Sequence, residues 1–330
     1  MGLIATFYEA ISTYPFLALI VGFLALGWSA DRFVNASAAV AKNLGVSKIV
    51  IGLTAIAVGT SAPEIMVGIE ASVVGIGELA IGNAIGSNIA NIGLVLGITA
   101  LVSPLPFADN VLKRELPWLI GATLLTLACL FDLYVGILDG LALLAGLGVI
   151  LYLLARRSRA MPDTLQAELN ELPDMTAVKS FAWFVVGLAV LLVSAHVLVT
   201  AAAFVAVEYQ VSELVIGLTI VAVGTSLPEL SVTVAAARQG HPEMAIGNVV
   251  GSNILNILAV LAIPALLDPQ AIDVAVLWRD YGMMMALTAL LMLLAYAVGS
   301  RKVITRFEGL VLLAAWIGYT IILYLHEHGA

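Results

Sequence analysis

Two carboxylates, Glu64 and Glu229, each follow a proline in the hexapeptide Gly-Thr-Ser-x-Pro-Glu, at Gly59 to Glu64 and again at Gly224 to Glu229. Thr60 and Glu64 are four residues apart, as are Thr225 and Glu229, so hydroxyl and carboxylate share a helix face. Pro63 and Pro228 lack an amide hydrogen, and each ring crowds the carbonyl of Gly59 or Gly224. The helix should therefore kink or open there and free backbone oxygens. Carboxylate, hydroxyl and carbonyl oxygens together form a hard donor set, suited to Ca²⁺ and Na⁺ rather than to Zn²⁺ or copper. A second stripe follows each copy at spacing four: Asn83, Ser87 and Asn91, then Asn248, Ser252 and Asn256. Gly82, Gly86, Gly247 and Gly251 beside them let another helix come close. Every element of the first copy recurs 165 positions later, and 165 is half of the 330 residues.

These polar residues sit in apolar surroundings. The chain is 62% hydrophobic and 11% charged, with a mean hydropathy of +1.09, too little polar surface to wrap a water-soluble core. Apolar runs long enough to cross a bilayer fall at roughly 16–38, 49–73, 79–102, 117–133, 137–155, 180–205, 214–237, 243–266, 281–299 and 308–325. The expected fold is an all-α polytopic membrane protein of about ten transmembrane helices. Residues 1–157 would form the first five-helix repeat, 158–179 a hydrophilic cytoplasmic linker, and 180–330 the second repeat. The first apolar run lacks a basic flank and reads as a retained span rather than a cleaved signal.

Five spans per repeat is an odd number, so the second repeat enters the membrane in the opposite sense. With both termini outside, of the 14 basic residues only Arg279 falls on the outer face, as the positive-inside bias requires. Arg114 and Arg279, equivalent in the two repeats, then lie on opposite faces. The expected location is a cell (inner) membrane.

An ionised carboxylate at bilayer depth is costly and marks an ion or substrate path. Neither Glu64 nor Glu229 has a Lys or Arg within its own span, which leaves a bound cation or a proton as compensation. Other polar residues read more plainly. Glu70 belongs to a rim, Asp31 and Arg32 to a local pair, and His196 to packing or hydrogen bonding. His241, His326 and His328 fall in loops or the tail, and the five tryptophans at interfaces or in packing. The single cysteine, Cys129, excludes a disulfide framework. No phosphate-binding loop, nucleotide fingerprint or nucleophile–base pair is present, so ATP-driven pumping, nucleotide or nucleic-acid partners and intramembrane enzymology have no support, and no cofactor is expected. The oligomeric state is not encoded in any feature of the chain.

At the two duplicated motifs the chain resembles the cation/Ca²⁺ exchanger superfamily, in its Na⁺/Ca²⁺ exchanger branch. Gly59 to Glu64 with Gly86-Ser87-Asn88-Ile89-Ala90-Asn91 is similar to the first α-repeat. Gly224 to Glu229 with Gly251-Ser252-Asn253-Ile254-Leu255-Asn256 is similar to the second. The resemblance implies a ten-helix antiporter that exchanges Na⁺ for Ca²⁺ by alternating access. It implies that Thr60, Ser61, Glu64, Ser87 and Asn91, with Thr225, Ser226, Glu229, Ser252 and Asn256, surround the ions, and that backbone oxygens of Ala57 and Ala222 contribute. Gly-Thr-Ser before the glutamate, in place of the Gly-Asn of H⁺-coupled members, favours Na⁺. The neutral amide of Asn256, where K⁺-dependent members carry Asp, argues against K⁺ co-transport. An H⁺/Ca²⁺ or other divalent antiporter is the alternative within transport, and a passive cation channel is the alternative of another class.

Overall fold

The computed structural model describes residues 8–9, 11–109, 111–158, 172–209, 222–296 and 302–327. Ten helical segments follow one another along the described chain: α1 (Pro15–Leu44), α2 (Lys48–Thr60 with Ala62–Val73), α3 (Gly77–Val102), α4 (111–130), α5 (Ile137–Ser158), α6 (Ala177–Glu208), α7 (Ala222–Thr225 with Leu227–Arg238), α8 (Pro242–Leu267), α9 (Val276–Tyr296) and α10 (Arg306–Glu327). Among the described residues, seven are each long and apolar enough to cross a membrane, and the two bent pieces of α2 make an eighth span. The first turn of α4 carries Lys113, Arg114 and Glu115. The first part of the run expected at 214–237, like most of the expected linker, lies outside the described residues.

Four two-residue strands show how the halves relate. β1 (Leu105–Pro106) pairs antiparallel with β4 (Val303–Ile304), and β2 (Tyr134–Val135) pairs antiparallel with β3 (Gln270–Ala271). β1 and β3 occupy equivalent places, since 105 + 165 = 270, yet they do not pair. The loop after α3 meets the loop after α9, six helical segments further on, so these two share a membrane face. The loop after α4 meets the loop after α8, four crossings further on, at the opposite face. Five crossings separate β1 from β3. Parity therefore places equivalent loops on opposite faces, and the two five-helix repeats run in inverted senses.

The centre of the molecule is α2, α3, α7 and α8, whose small residues let backbones touch. A Cβ on Gly251 of α8 would lie 2.6 Å from the Leu53 carbonyl oxygen of α2 and 2.8 Å from the Ala57 Cβ. One on Gly52 would lie 2.8 Å from the Met244 carbonyl oxygen and 3.2 Å from the Gly247 Cα. Without a hydrophobic drive between helices in lipid, this close packing is what holds them. Outside the core, α1 and α6 run side by side, with Phe33 against Phe184 at 4.8 Å between ring centres. The outer surface of α1 is apolar and exposed at Phe16, Ile20, Phe23 and Leu24, as a lipid-facing helix must be.

Candidate ion-binding site

Both glutamates sit where a helix is broken. In α2 the break is Ser61 (φ −80°, ψ 9°), in α7 it is Ser226 (φ −87°, ψ 1°), and the two pieces of α2 meet at a 45° bend. The break falls two residues before each proline rather than at it. Pro63 and Pro228 thereby occupy the opening positions of the second segments, where a missing amide hydrogen breaks no bond. Glu64 and Glu229 lie in the first turn of those segments, at the positive end of the helix dipole. Each is 1% exposed. No Lys or Arg forms an ion pair with either among the described residues.

The two halves interlock around these acids. Ser61 Oγ of the first break donates to Glu229 Oε1 of the second at 3.1 Å, and Thr60 also faces the Glu229 carboxylate. Ser87 of α3 faces the Glu64 carboxylate, and the two glutamates are near enough to act on one another electrostatically. Thr60 Oγ1 lies 3.2 Å from Asn248 Oδ1 and 3.4 Å from the Ala57 carbonyl oxygen. The stripe asparagines tie α3 and α8 to the breaks in matching fashion. Asn83 Nδ2 donates to the Glu64 carbonyl oxygen at 3.3 Å and Asn248 Nδ2 to that of Glu229 at 3.5 Å. Asn88 Nδ2 donates to the carbonyl oxygen of Asn253, its own equivalent, at 3.1 Å. Equivalent residues in contact lie on the pseudo-two-fold axis relating the repeats.

Several buried polar atoms have no hydrogen-bond partner among the described residues: Glu64 Oε2, Glu229 Oε2, Ser226 Oγ, Ser252 Oγ, and both side-chain polar atoms of Asn91 and Asn256. Such atoms are few in folded proteins, and a cluster of them marks a place built for a polar visitor. These belong to the duplicated motifs, while Gln239, His241 and Gln270 carry such atoms elsewhere. Thr225 is half-buried beside its break. Ala222 opens the described part of α7, with its side chain outside the described set. Asn91 and Asn256 each begin a wide helical turn, Asn91–Leu96 and Asn256–Val260, of the kind that recurs at functional positions.

The groups gathered here carry oxygen: two carboxyls, hydroxyls, side-chain amides and a backbone carbonyl. Among the described residues there is no group of three or more His, Cys, Asp or Glu that could hold a metal ion. Sequence reasoning omitted three buried residues of this network from the expected site: Thr233, which takes a hydrogen bond from Asn248 Nδ2 at 3.0 Å, and the axial pair Asn88 and Asn253. The repetition of Gly-Ser-Asn was a usable signal for the pair; nothing in the sequence pointed to Thr233. The expected Asp31–Arg32 pair does not form. Asp31 Oδ1 accepts from Gln239 Nε2 at 3.1 Å, while Arg32 lies over the rings of Trp28 and Trp183. His196 Nε2 lies 3.0 Å from the Tyr8 hydroxyl, and Glu70 is exposed, in line with their readings as bonded and rim residues.

Fold and site together define an integral-membrane cation antiporter built on inverted repeats. Residues 14–156 and 179–325 match the family model described as sodium/calcium exchanger protein. CaxA of Alkalimonas amylolytica is 44% identical over 310 residues, covering 93% of this chain and 97% of that protein. The inner membrane protein YrbG of Escherichia coli is 37% identical over 312 residues, covering 93% and 95%. A structure of the sodium-calcium exchanger NCX_Mj soaked with Na⁺ and Sr²⁺ superposes with a TM-score of 0.80 at 33% identity, covering 92% of this chain and 97% of that one. The chain belongs to the sodium/calcium exchanger protein family.

Proposed function

We propose that the protein exchanges Na⁺ for Ca²⁺ across a cell membrane, with both ions competing for the oxygens gathered at the two helix breaks. The observation that carries this is the pair of buried glutamates, one from each inverted half, with Ser61 of the first half bonded to Glu229 of the second and each glutamate keeping an oxygen without a partner among the described residues. Two carboxylates so deeply buried without a Lys or Arg would each bear a desolvation cost of several kcal/mol. A cation taken up between them offsets that cost. About two negative charges balance one Ca²⁺ or two Na⁺, so occupancy by one ion excludes the other. A shared site that opens to alternate faces converts this competition into exchange without a nucleotide. Any further Na⁺ leaves net positive charge in the site and makes transport electrogenic.

In this reading Glu64 and Glu229 supply the charge, and Thr60, Ser61, Ser87, Thr225, Ser226 and Ser252 supply hydroxyls. Asn91 and Asn256 supply amide oxygens, and Ala57 and Ala222 carbonyl oxygens. The structures of NCX_Mj soaked with Na⁺ together with Ca²⁺ or Sr²⁺ support the ion assignment. The inner-membrane relative YrbG and the one-sided distribution of Lys and Arg support a cell inner membrane with both termini outside. Flux in proteoliposomes tests the coupling. Radiolabelled Ca²⁺ should accumulate against an outward Na⁺ gradient and not against a pH gradient alone. Uptake driven by the pH gradient without Na⁺ makes the protein an H⁺/Ca²⁺ antiporter, and flux without a counter-ion makes it a channel.

A further inference from the structure

Where α1, α6 and α7 meet lies an open cleft of about 380 Å³, lined by Trp28, Asp31, Arg32, Asn35, Arg238 and Gln239. None of these residues belongs to the glutamate site described above. The depth of the cleft is set by α1. Arg32 follows Pro15 by 17 residues, a rise of roughly 26 Å. Measured against a hydrocarbon core of about 30 Å, that puts the guanidinium close to the level of the headgroups. Trp28, Leu24 and Ile20 succeed one another at spacing four along α1, 44%, 66% and 60% exposed. They form an apolar strip that runs from the cleft into the bilayer.

The charges of the cleft are unbalanced. The carboxylate of Asp31 is engaged by Gln239. Arg32 is held over two indoles, its Cζ 5.8 Å from the Trp28 ring centre and 6.0 Å from that of Trp183, which fixes the guanidinium while leaving its N–H edge free. Neither Arg32 nor Arg238 makes an ion pair among the described residues. Two guanidinium forks facing one polar cleft match the oxygens of a phosphate group, which they grip in pairs. We propose that this cleft binds a phosphate-bearing anion, and its depth and the adjoining apolar strip favour the headgroup of an anionic phospholipid, with an acyl chain along Trp28, Leu24 and Ile20.

Native mass spectrometry of the detergent-solubilised full chain tests this, with parallel titrations of phosphatidylglycerol, phosphatidylcholine (whose choline cancels the charge) and inorganic phosphate. Phosphatidylglycerol should be retained in preference to phosphatidylcholine. R238Q and R32Q/R238Q should weaken its apparent Kd by roughly tenfold or more, with R32K/R238K keeping part of the preference. Arg238 is exposed, so R238Q should fold normally, which an unchanged unfolding midpoint would verify. Displacement of the lipid by inorganic phosphate at similar concentration keeps the phosphate site and assigns it to the soluble anion. Equal retention of both lipids with no binding of inorganic phosphate, or an undiminished preference in folded R238Q, overturns the proposal.

Discussion

Glu64 and Glu229 differ from ordinary buried acids in what surrounds them. Hydroxyls of the first repeat face both carboxylates and amides of both repeats bond their backbone carbonyls, yet the Oε2 of each has no partner among the described residues. Removing the charge while keeping the shape isolates what the charge does. Glu64→Gln or Glu229→Gln should reduce Na⁺-driven Ca²⁺ uptake to the background of protein-free vesicles, while thermal unfolding stays close to that of the parent. Gln lowers the cost of burial at the same time as it removes the cation's counter-charge. Near-normal uptake in either variant would remove that residue from the ion path. Asn256 is fully buried with both polar atoms free, so a carboxylate there adds a third negative charge to the cluster. Asn256→Asp should alter the Na⁺ and K⁺ dependence of uptake more than it alters folding, and an unchanged response to both ions would dismiss the assignment.

Helix breaks and glycine contacts place these side chains. The break at Ser61 turns the second segment of α2 so that its first turn faces the core. The glycines of α8 let Ser252 and Asn256 be brought against the first segment of α2. Gly251→Ala should therefore lower stability by roughly 1–3 kcal/mol, because its Cβ would meet backbone and not a movable side chain. Gly148→Ala in α5, whose Cβ would have no described atom within 4 Å, should leave the unfolding midpoint unchanged or raise it, since alanine favours the helix. Outside the membrane, Asp109 and Lys302 join the β1 and β4 loops at 2.6 Å. The Lys302 ammonium bonded to Asp109, with Lys113 nearby, holds that carboxyl below the usual aspartate range. A lowered value means the stabilisation is present above the unfolded-state value and is lost as pH falls through the folded one. The difference in unfolding midpoint between the parent and D109N should thus vanish on acidification. It should also shrink in high salt, because the pair is exposed.

The inverted architecture makes a prediction of its own. In a Cys129→Ala background, cysteines introduced at Ala108 and Lys302 should react with an impermeant thiol reagent from one side of sealed vesicles. Cysteines at Asp132 and Asp273 should react from the other. The positive-inside bias assigns the first pair to the cytoplasmic face. Labelling of all four from one side would contradict the crossing of α4 and with it the inversion, whereas labelling of the two members of one pair from opposite sides would contradict the strand pairing of β1 with β4 or β2 with β3. Two halves that are alike in sequence and opposite in direction give the central site matching walls toward both faces, which a transporter with one site and two openings needs.

The helices were legible in the chain because a span announces itself by length and apolarity alone, both properties of a single run of residues. The repeat was legible for the same reason: Gly59 and Gly224 stand 165 positions apart whatever the fold. The expected runs match the described helices to within a few residues at most ends, the larger gaps being at the C-terminal end of α1 and the starts of α4 and α9. Less accessible was the exact seat of the break, since Pro63 forbids a bond at one position but the backbone chose to yield at Ser61. The wide turns after Asn91 and Asn256 depend on neighbouring helices and leave no local mark. Above all, sequence spacing does not say which residues meet across the two repeats. That Ser61 reaches Glu229 and not its own Glu64, that Asn88 touches Asn253, and that Asp31 prefers Gln239 to adjacent Arg32 were decided only when the packing of glycine faces fixed the distances between helices. Apolarity and periodicity act along the chain; side-chain partnership is a matter of proximity in space, and only the assembled bundle supplies it.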